Sequence, residues 1–355
     1  MMKAERILCC ADCGSDLNDG LVCGECGRAY AAEADGIISA LPRAMNTAAP
    51  SKERIKATLD GDTGGADRNH TVVEYERAFH DDQASYYDTL FGDPLPLGRY
   101  YRRLVGRQIF GYVRGKPFVV DLCCGTGKSS LPLARMGCSV VGVDVSREML
   151  RAYQRKCDKE GLRNVLLIHA DASRPPLRKQ SCGAIIMIGG LHHIPDQSGC
   201  VRHCCDLLTD DGVLIFHEPL QSGHTSLLSR LAENIYAVTN PMRMGRALLR
   251  RLGLASPAAP TPPAEAAETF TPFERPFTSA GQMLELIPPG SVPSLVRSQG
   301  LFSFREFEPT LQNALGVPIA DAVVALDFWF SGILKETWSG DALFALIRKQ
   351  PGQRP

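Results

Sequence analysis

The chain has 355 residues, and its 39 lysines and arginines balance 39 aspartates and glutamates, so the formal net charge is zero. This length leaves room for one large core and a small satellite, and the charge balance does not indicate a broadly basic nucleic-acid surface. No apolar run approaches the roughly 18 residues of a membrane span, and the N-terminal segment lacks the apolar region of a signal peptide. The 13 cysteines, several of them inside predicted core elements, suit a reducing compartment, so we expect a cytoplasmic protein without a transmembrane segment.

Two C-x2-C pairs near the N-terminus predict a metal site. Cys10 and Cys13 form the first pair, Cys23 and Cys26 the second, and nine residues rich in turn formers separate them. Four thiolates in two such turns can close a tetrahedral zinc site, which has no open position and is therefore structural. Residues 1–45 are accordingly predicted to be a zinc ribbon, although a disordered tail with free cysteines is the alternative.

A linker and a helical segment are expected between the ribbon and the core. Residues 46–70 lack a sustained apolar period and are predicted to be the linker. Residues 71–115 carry apolar residues at near-helical spacing and form a helical pre-core segment. Within it, Tyr86 or Tyr87 could serve as a cation–π partner for a cationic ligand, and a plain core role is equally open.

Apolar runs that alternate with helical patterns predict a parallel, doubly wound α/β sheet. The first strand ends near Asp121, the turn Cys124-Gly125-Thr126-Gly127 follows, and a second strand ends at Asp144. This is a βαβ half-unit, in which glycines let the backbone approach a ligand and the terminal carboxylate can accept hydrogen bonds from ribose hydroxyls. The expected strands are 118–122, 139–144, 165–169, 184–188 and 213–217.

Three nucleotide-binding motifs compete for the glycine turn. A dinucleotide fingerprint needs a third glycine where Ser130 stands, and a phosphate-binding P-loop needs a glycine where Leu122 stands. A sulfonium-nucleoside site explains more, because Asp121 could meet a cationic amino-acid moiety. The pattern Asp121-x3-Gly125-x-Gly127, with Asp144 ending the second strand, resembles the class I S-adenosylmethionine-dependent methyltransferases. Within them, the chain is similar to the small-molecule branch related to quinone-biosynthesis methyltransferases.

The resemblance implies a seven-stranded Rossmann-like sheet and S-adenosylmethionine as the cofactor. Asp171 would accept a hydrogen bond from the adenine amine, although a turn-capping role is open. His192 and His193 follow the fourth strand and Glu218 ends the fifth, so they are the candidate catalytic residues, as bases, substrate contacts at the pocket mouth or orienting groups. Structural hydrogen bonding is the alternative for both histidines. The implied cofactor-binding residues are Asp121, Cys123, Gly125, Gly127, Asp144, Val145, Asp171, Ala172 and Gly189.

The C-terminal part is expected to complete the sheet. Residues 296–301 predict a helix end with a glycine cap, residues 302–307 a sixth strand, and residues 341–348 a seventh, antiparallel strand. Apolar helices would then be inserted at the rim, where they could form a substrate lid or the interface of a homodimer. The predicted methyltransferase core comprises residues 116–220 and 286–355, with helical insertions at 221–285 and 310–339.

Methyl transfer from a sulfonium is an in-line displacement, which needs alignment and exclusion of water more than a strict catalytic motif. We expect a small, apolar or aromatic acceptor, because apolar helices flank the predicted site. A zinc ribbon before the same fold also occurs in enzymes that methylate a guanine of large-subunit ribosomal RNA, so RNA is the main alternative acceptor. Nucleic acid is the less favoured partner because the basic clusters at residues 99–103 and 243–251 are modest. A third interpretation is an inactive cofactor-binding module.

Overall fold

The computed structural model describes residues 7–45, 48–62, 64–91, 101–220, 271–299 and 342–349. The strands form one eight-stranded sheet in the order β1-β4-β3-β2-β5-β6-β8-β7. Neighbours from β1 to β6 are parallel, and β8 runs antiparallel to both β6 and β7. The strands are β1 (Ile38–Ser39), β2 (Val119–Leu122), β3 (Val140–Asp144), β4 (Val165–His169), β5 (Cys182–Ile188), β6 (Leu208–Pro219), β7 (Ser291–Gln299) and β8 (Ala342–Lys349).

Helices connect the parallel strands, as expected for a doubly wound sheet. Among the described residues, no helix is both long enough and apolar enough to cross a membrane. A π-helical turn (Val105–Ile109) leads into α4, and a 3₁₀ turn (Leu191–His193) follows β5. The helices are α1 (Lys52–Asp60), α2 (Gly65–Gln83), α3 (Tyr87–Phe91), α4 (Phe110–Val113), α5 (Ser130–Arg135), α6 (Arg147–Glu160), α7 (Gln197–Leu207) and α8 (Ala280–Glu285).

The two faces of the sheet belong to two separate apolar clusters. Successive residues of a strand point to opposite faces of the sheet. Val119 therefore belongs to the cluster that contains Leu104 and Leu133, whereas Val120 belongs to the cluster on the other face, which contains the buried residues of α7. All four residues of β2 are buried. A central strand covered on both faces explains why its sequence is a continuous apolar run up to Asp121, and the doubly wound α/β prediction is confirmed.

β1 is a strand that the sequence did not predict, and it comes from the N-terminal segment. β1 pairs in parallel with β4, with Ile38 opposite Ile168, and so extends the expected seven-stranded sheet at one edge. The Arg178 guanidinium donates to the carbonyl oxygens of Leu8 and Leu17 over 3.0 and 2.9 Å. Both leucines are buried in the same apolar cluster as Ile168. The cysteine-rich segment is therefore packed onto the sheet rather than tethered to it.

Two local expectations differ from the structure. The predicted linker contains α1, which begins at Ser51, whose hydroxyl accepts from the Arg54 amide, and ends at Gly61 with a φ of 84°. These two caps stabilise a helix that has little apolar periodicity. The predicted helix end at residues 296–301 was wrong, because residues 291–299 form β7 and pair with β8. The predicted strand at 302–307 lies outside the described residues, as do residues 221–270 and 310–339 of the insertions.

Candidate functional site

The turn after β2 brings its backbone close to the carboxylate that ends β3. Cys123, Gly125 and Gly127 have φ values of 55°, 52° and 83°, a region that favours glycine. The Gly125 amide donates to Asp144 Oδ2 over 2.7 Å, and the Ser146 amide donates to Asp144 Oδ1 over 2.8 Å. Backbone amides thus hold Asp144 against the glycine turn, in the position where a βαβ unit of this kind binds a ribose.

The two glycines of this turn have different neighbours. A Cβ atom on Gly127 would lie 2.4–2.6 Å from three ring atoms of Tyr153 on α6, so this glycine allows the turn to pack on a buried aromatic ring. A Cβ atom on Gly125 would meet nothing within 4 Å. Gly125 lines a cavity, whereas Gly127 packs against the Tyr153 ring in the protein interior.

Asp121 is a buried carboxyl that lacks one partner. It is 1% exposed, and no described residue donates a hydrogen bond to its Oδ2 atom. Burial raises the pKa of Asp121 to about 7. The predicted contact of Asp121 with a cationic amino-acid moiety stays a prediction.

A partly open cavity lies at the carboxyl ends of β2, β3, β4 and β5. Asp171 lines it and also caps a turn, accepting from the amide and hydroxyl of Ser173, each over 2.8 Å, while its contact with adenine stays a prediction. Asp121 and Gly127 do not line it. The predicted cofactor residues that do are Cys123, Gly125, Asp144, Val145, Asp171, Ala172 and Gly189. Open space at Gly125 and two cavity-facing carboxylates, Asp144 and Asp171, fit S-adenosylmethionine.

Glu218 and His192 are anchors of a loop rather than walls of the cavity. Glu218 is fully buried, and its carboxylate accepts from the amides of Gly190, Leu191 and His192 over 3.1, 2.9 and 3.3 Å. Its Oε2 atom also lies 2.8 Å from Nδ1 of His192. These contacts occupy both carboxylate oxygens. The structure therefore does not place Glu218 at the pocket mouth, where a substrate contact was expected, and only the orienting role agrees with its position.

His193 lines the cavity together with two residues that the sequence analysis missed, Glu76 and His80 of α2. Glu76 Oε2 lies 3.1 Å from His193 Nδ1 and 3.5 Å from His80 Nε2. Burial opposes ionisation of Glu76, but the two imidazoles outweigh it and lower the pKa of Glu76 to about 2. Burial lowers the pKa of His193. The i, i+4 spacing of Glu76 and His80 was the available sequence signal, and it could not show that His193 meets them.

The start of α3, which lines the cavity, is bound to the glycine turn. Tyr87 at the start of α3 lines the cavity, whereas Tyr86 does not. The next residue, Asp88, accepts from the Thr126 hydroxyl over 2.7 Å and pairs with Lys156 at 2.6 Å. These contacts hold Tyr87 where an aromatic face can meet a cationic ligand.

The four cysteines of the N-terminal segment converge. Sγ of Cys10 lies 3.5 Å from that of Cys26, Sγ of Cys13 lies 3.4 Å from that of Cys23, and all four lie within 4.8 Å of one another. Sulfurs bound to a tetrahedral zinc ion at about 2.3 Å lie roughly 3.8 Å apart, so this cluster has the dimensions of one such site. Cys9 does not join it, since its thiol points to the Leu177 carbonyl.

Comparisons with known proteins agree with this geometry. Residues 119–212 match the family model described as a methyltransferase domain. The chain is 30% identical over 145 residues to aklanonic acid methyltransferase DauC of Streptomyces sp. (strain C5), a match that covers 39% of this chain and 63% of that protein. It is 30% identical over 104 residues to the demethylmenaquinone methyltransferase of Lactobacillus johnsonii, covering 28% of this chain and 43% of the relative. The chain spans less than two thirds of either relative.

Among solved structures, the [4+2]-cyclase SpnF matches with a TM-score of 0.50 at 14% identity, covering 79% of this chain and 97% of that one. At this identity the likeness shows the fold alone. The sheet order and the glycine turn, together with the family match, define the class I S-adenosylmethionine-dependent methyltransferase fold. Over residues 119–212, this chain is similar to methyltransferase domains.

Proposed function

We propose that the chain transfers a methyl group from S-adenosylmethionine to a small molecule bound in the cavity between the glycine turn and α2. The observation that carries the proposal is the lining of this cavity. Asp144 and Asp171 stand at strand ends where a nucleoside binds, and Glu76, His80 and His193 lie in the same cavity. One cavity thus combines groups suited to a methyl donor with groups suited to a nucleophile.

The chain's own residues would mainly bind and align. Asp144 would accept hydrogen bonds from the ribose hydroxyls and Asp171 from the adenine amine, since both carboxylates line the cavity. S-adenosylmethionine supplies an activated methyl group when it is bound, so the remaining requirements are in-line alignment of the acceptor and exclusion of water. An acceptor placed beside His193 would meet polar groups able to take or stabilise a proton.

The acceptor class is proposed on two grounds. The two relatives are named for aklanonic acid and demethylmenaquinone, which are small molecules. The chain also has no net charge, whereas an RNA groove would favour a basic surface. The fold likeness adds nothing on this point, since SpnF is named a cyclase. Binding of the donor is therefore not sufficient as a test, and transfer must be measured.

The test uses donor carrying a labelled methyl group. Purified protein is incubated with a panel of phenolic and quinol acceptors and, separately, with total RNA, and label is followed into each fraction. We expect transfer to a small molecule that changes little with salt. Label in RNA, with activity that collapses between low and moderate salt, would replace the proposal with the RNA alternative. Donor binding with no transfer to either class would favour the inactive module.

We further propose that Cys10, Cys13, Cys23 and Cys26 hold one structural zinc ion. The convergence of four thiols supports it, as does the Tyr30 hydroxyl, which lies 3.2 Å from Cys10 Sγ and can hold that ligand in place. Metal analysis of protein purified without chelator should find zinc bound by these thiols. Replacing Cys23 by Ser should release this ion, and a Cys138→Ser control should not. Retention of the ion by the Cys23 variant would reject the site.

A further inference from the structure

We propose that Glu76, His80 and His193 form a second metal site, separate from the cysteines, that holds a divalent transition-metal ion on the acceptor side of the cavity. One ligand atom from each residue lies within 4.8 Å of the other two. Glu76 and His80 stand one turn apart on α2, and His193 comes from the turn after β5. All three line the cavity.

The spacing of the three atoms is that of ligands around an ion. Nitrogen and oxygen ligands bound at about 2.1 Å to a tetrahedral ion lie roughly 3.4 Å apart. The distances from Glu76 Oε2 to His193 Nδ1 and His80 Nε2 are 3.1 and 3.5 Å. A shared ion would account for both distances at once.

A hydrogen bond accounts for the same contact less well. Glu76 Oε2 and His193 Nδ1 are both buried, and neither has a hydrogen-bond partner among the described residues even though they lie 3.1 Å apart. Two atoms that direct lone pairs at a common ion would show this combination of short distance and poor alignment. Buried polar atoms without partners are rare in folded proteins, and a metal ion bound between two such atoms satisfies both of them.

The surroundings hold the carboxylate in the orientation that ligation needs. The second oxygen of Glu76 accepts a hydrogen bond from the Thr271 hydroxyl, and the Thr271 amide donates to Glu274 over 2.9 Å. Outer contacts of this kind fix the ligands of a metal site. Thr271 is 195 residues away from Glu76 in sequence, so the fold brings the two together specifically.

Two imidazoles and one carboxylate suit zinc or iron(II), and such a set leaves coordination positions open. Because the three residues line the cavity, an acceptor can reach an open position. A hydroxyl of the acceptor bound there would have a lowered pKa and release its proton to bulk water, leaving an anionic oxygen ready for methylation. This role of the ion, which implies an oxygen nucleophile, rests on the proposed function. Binding of the ion at these three residues does not depend on the proposed function.

Cobalt(II) distinguishes the two sites of the full chain. Equilibrium dialysis against Co²⁺ under reducing conditions counts bound ions, and thiolate-to-cobalt charge-transfer absorption reports only the cysteine site. We expect two ions in the wild-type protein, of which one contributes this absorption. The affinity for the ion outside the cysteine site should fall by at least about 100-fold in each of the variants Glu76→Gln, His80→Asn and His193→Asn. It should fall by about 10–100-fold in Thr271→Val.

Matched controls use residues of the same type. Glu74→Gln changes a buried glutamate on α2 that pairs with Arg54, and His203→Asn changes a half-buried histidine on α7. Both should keep two ions. One ion in the wild type with full thiolate absorption, or two ions in the three ligand variants, would overturn the proposal. Should a ligand variant fail to fold, pulsed EPR of the cobalt-loaded wild type decides, because the second site requires coupling to imidazole nitrogens. A wild type that binds two ions and transfers no methyl group would retain this site and refute only the proposed function.

Discussion

The proposed donor and acceptor sides of the cavity are constructed in different ways. On the donor side, the glycine turn, Asp144 and Asp171 each follow directly from a strand, and backbone amides hold both carboxylates. On the acceptor side, Glu76 and His80 belong to a helix that precedes the sheet, and His193 follows more than 100 residues later. Their contacts run from side chain to side chain.

This difference has consequences for what each side can tolerate. Backbone geometry at strand ends is fixed by the sheet, so the donor side accepts few changes of residue without a change of fold. Side chains on α2 can change while the helix stays in place. We therefore expect variants on the donor side to affect folding and donor binding, and variants on the acceptor side to affect transfer.

The largest expected effect separates the two glycines of the donor side. Gly127→Ala places a Cβ atom against the Tyr153 ring and forces alanine into a φ of 83°, so it should lower the free energy of unfolding by roughly 3 kcal/mol or more. Gly125→Ala meets open space and should cost about 1 kcal/mol, from its backbone conformation alone. Denaturant titration measures both. Equal losses would mean that the contact with Tyr153 does not decide the role of Gly127.

A second pair of variants tests the division between binding and transfer. Asp144→Ala should weaken S-adenosylmethionine binding at least tenfold, about 1.4 kcal/mol, because it removes the proposed ribose acceptor. Glu76→Gln should leave donor affinity within about twofold and lower the rate of transfer roughly 100-fold, the scale of proton and metal assistance. Calorimetry and single-turnover kinetics give the two quantities. A Glu76 variant that loses donor affinity as strongly as the Asp144 variant would contradict the separation.

The same division explains which residues the sequence could reveal. Asp121, Gly125, Gly127 and Asp144 stand at fixed spacings around a strand and a turn, so local sequence predicts the fold and the residues near the donor. For Glu76 the local signal is only its i, i+4 spacing to His80, which cannot show that the loop at His193 packs against it. Sequence also placed Glu218 correctly at the end of its strand but could not show that three loop amides would cover its carboxylate.

The pKa of Asp121 gives the donor side a pH dependence. Its usual value of 3.8 is raised to about 7 in the folded chain, so the folded state binds more protons than the unfolded state between these values. Protonated Asp121 therefore contributes to the stability of the ligand-free protein. This contribution is complete below about pH 3.8 and is lost as the pH rises through about 7. The full pKa shift limits the loss in free energy of unfolding to about 4 kcal/mol. Relaxation of the protein around the charged carboxylate reduces the expected loss to on the order of 2 kcal/mol.

Asp121→Asn removes this ionisation. We expect the variant to be more stable than the wild type at pH 8 without ligand and equally stable at pH 4. Thermal unfolding at several pH values measures both effects. A variant that follows the wild-type pH profile would show that another group controls it.

The smallest expected effect concerns the contact that joins the two sides. Asp81, on α2 after His80, accepts from the Ser146 hydroxyl over 2.7 Å and from the Glu148 amide over 3.2 Å, so it binds the first turn of α6 directly after Asp144. Asp81→Ala should cost about 1 kcal/mol of stability, through lost hydrogen bonds and a lost carboxylate at a helix N-terminus. It should also weaken donor affinity by only two- to fivefold, because Asp144 keeps its own amide contacts. Asp158→Ala, an exposed change at the other end of α6, serves as the control and should leave donor affinity unchanged. If Asp81→Ala slows transfer without altering donor affinity, then Asp81 belongs functionally to the acceptor side, and α2 acts as one unit with Glu76 and His80.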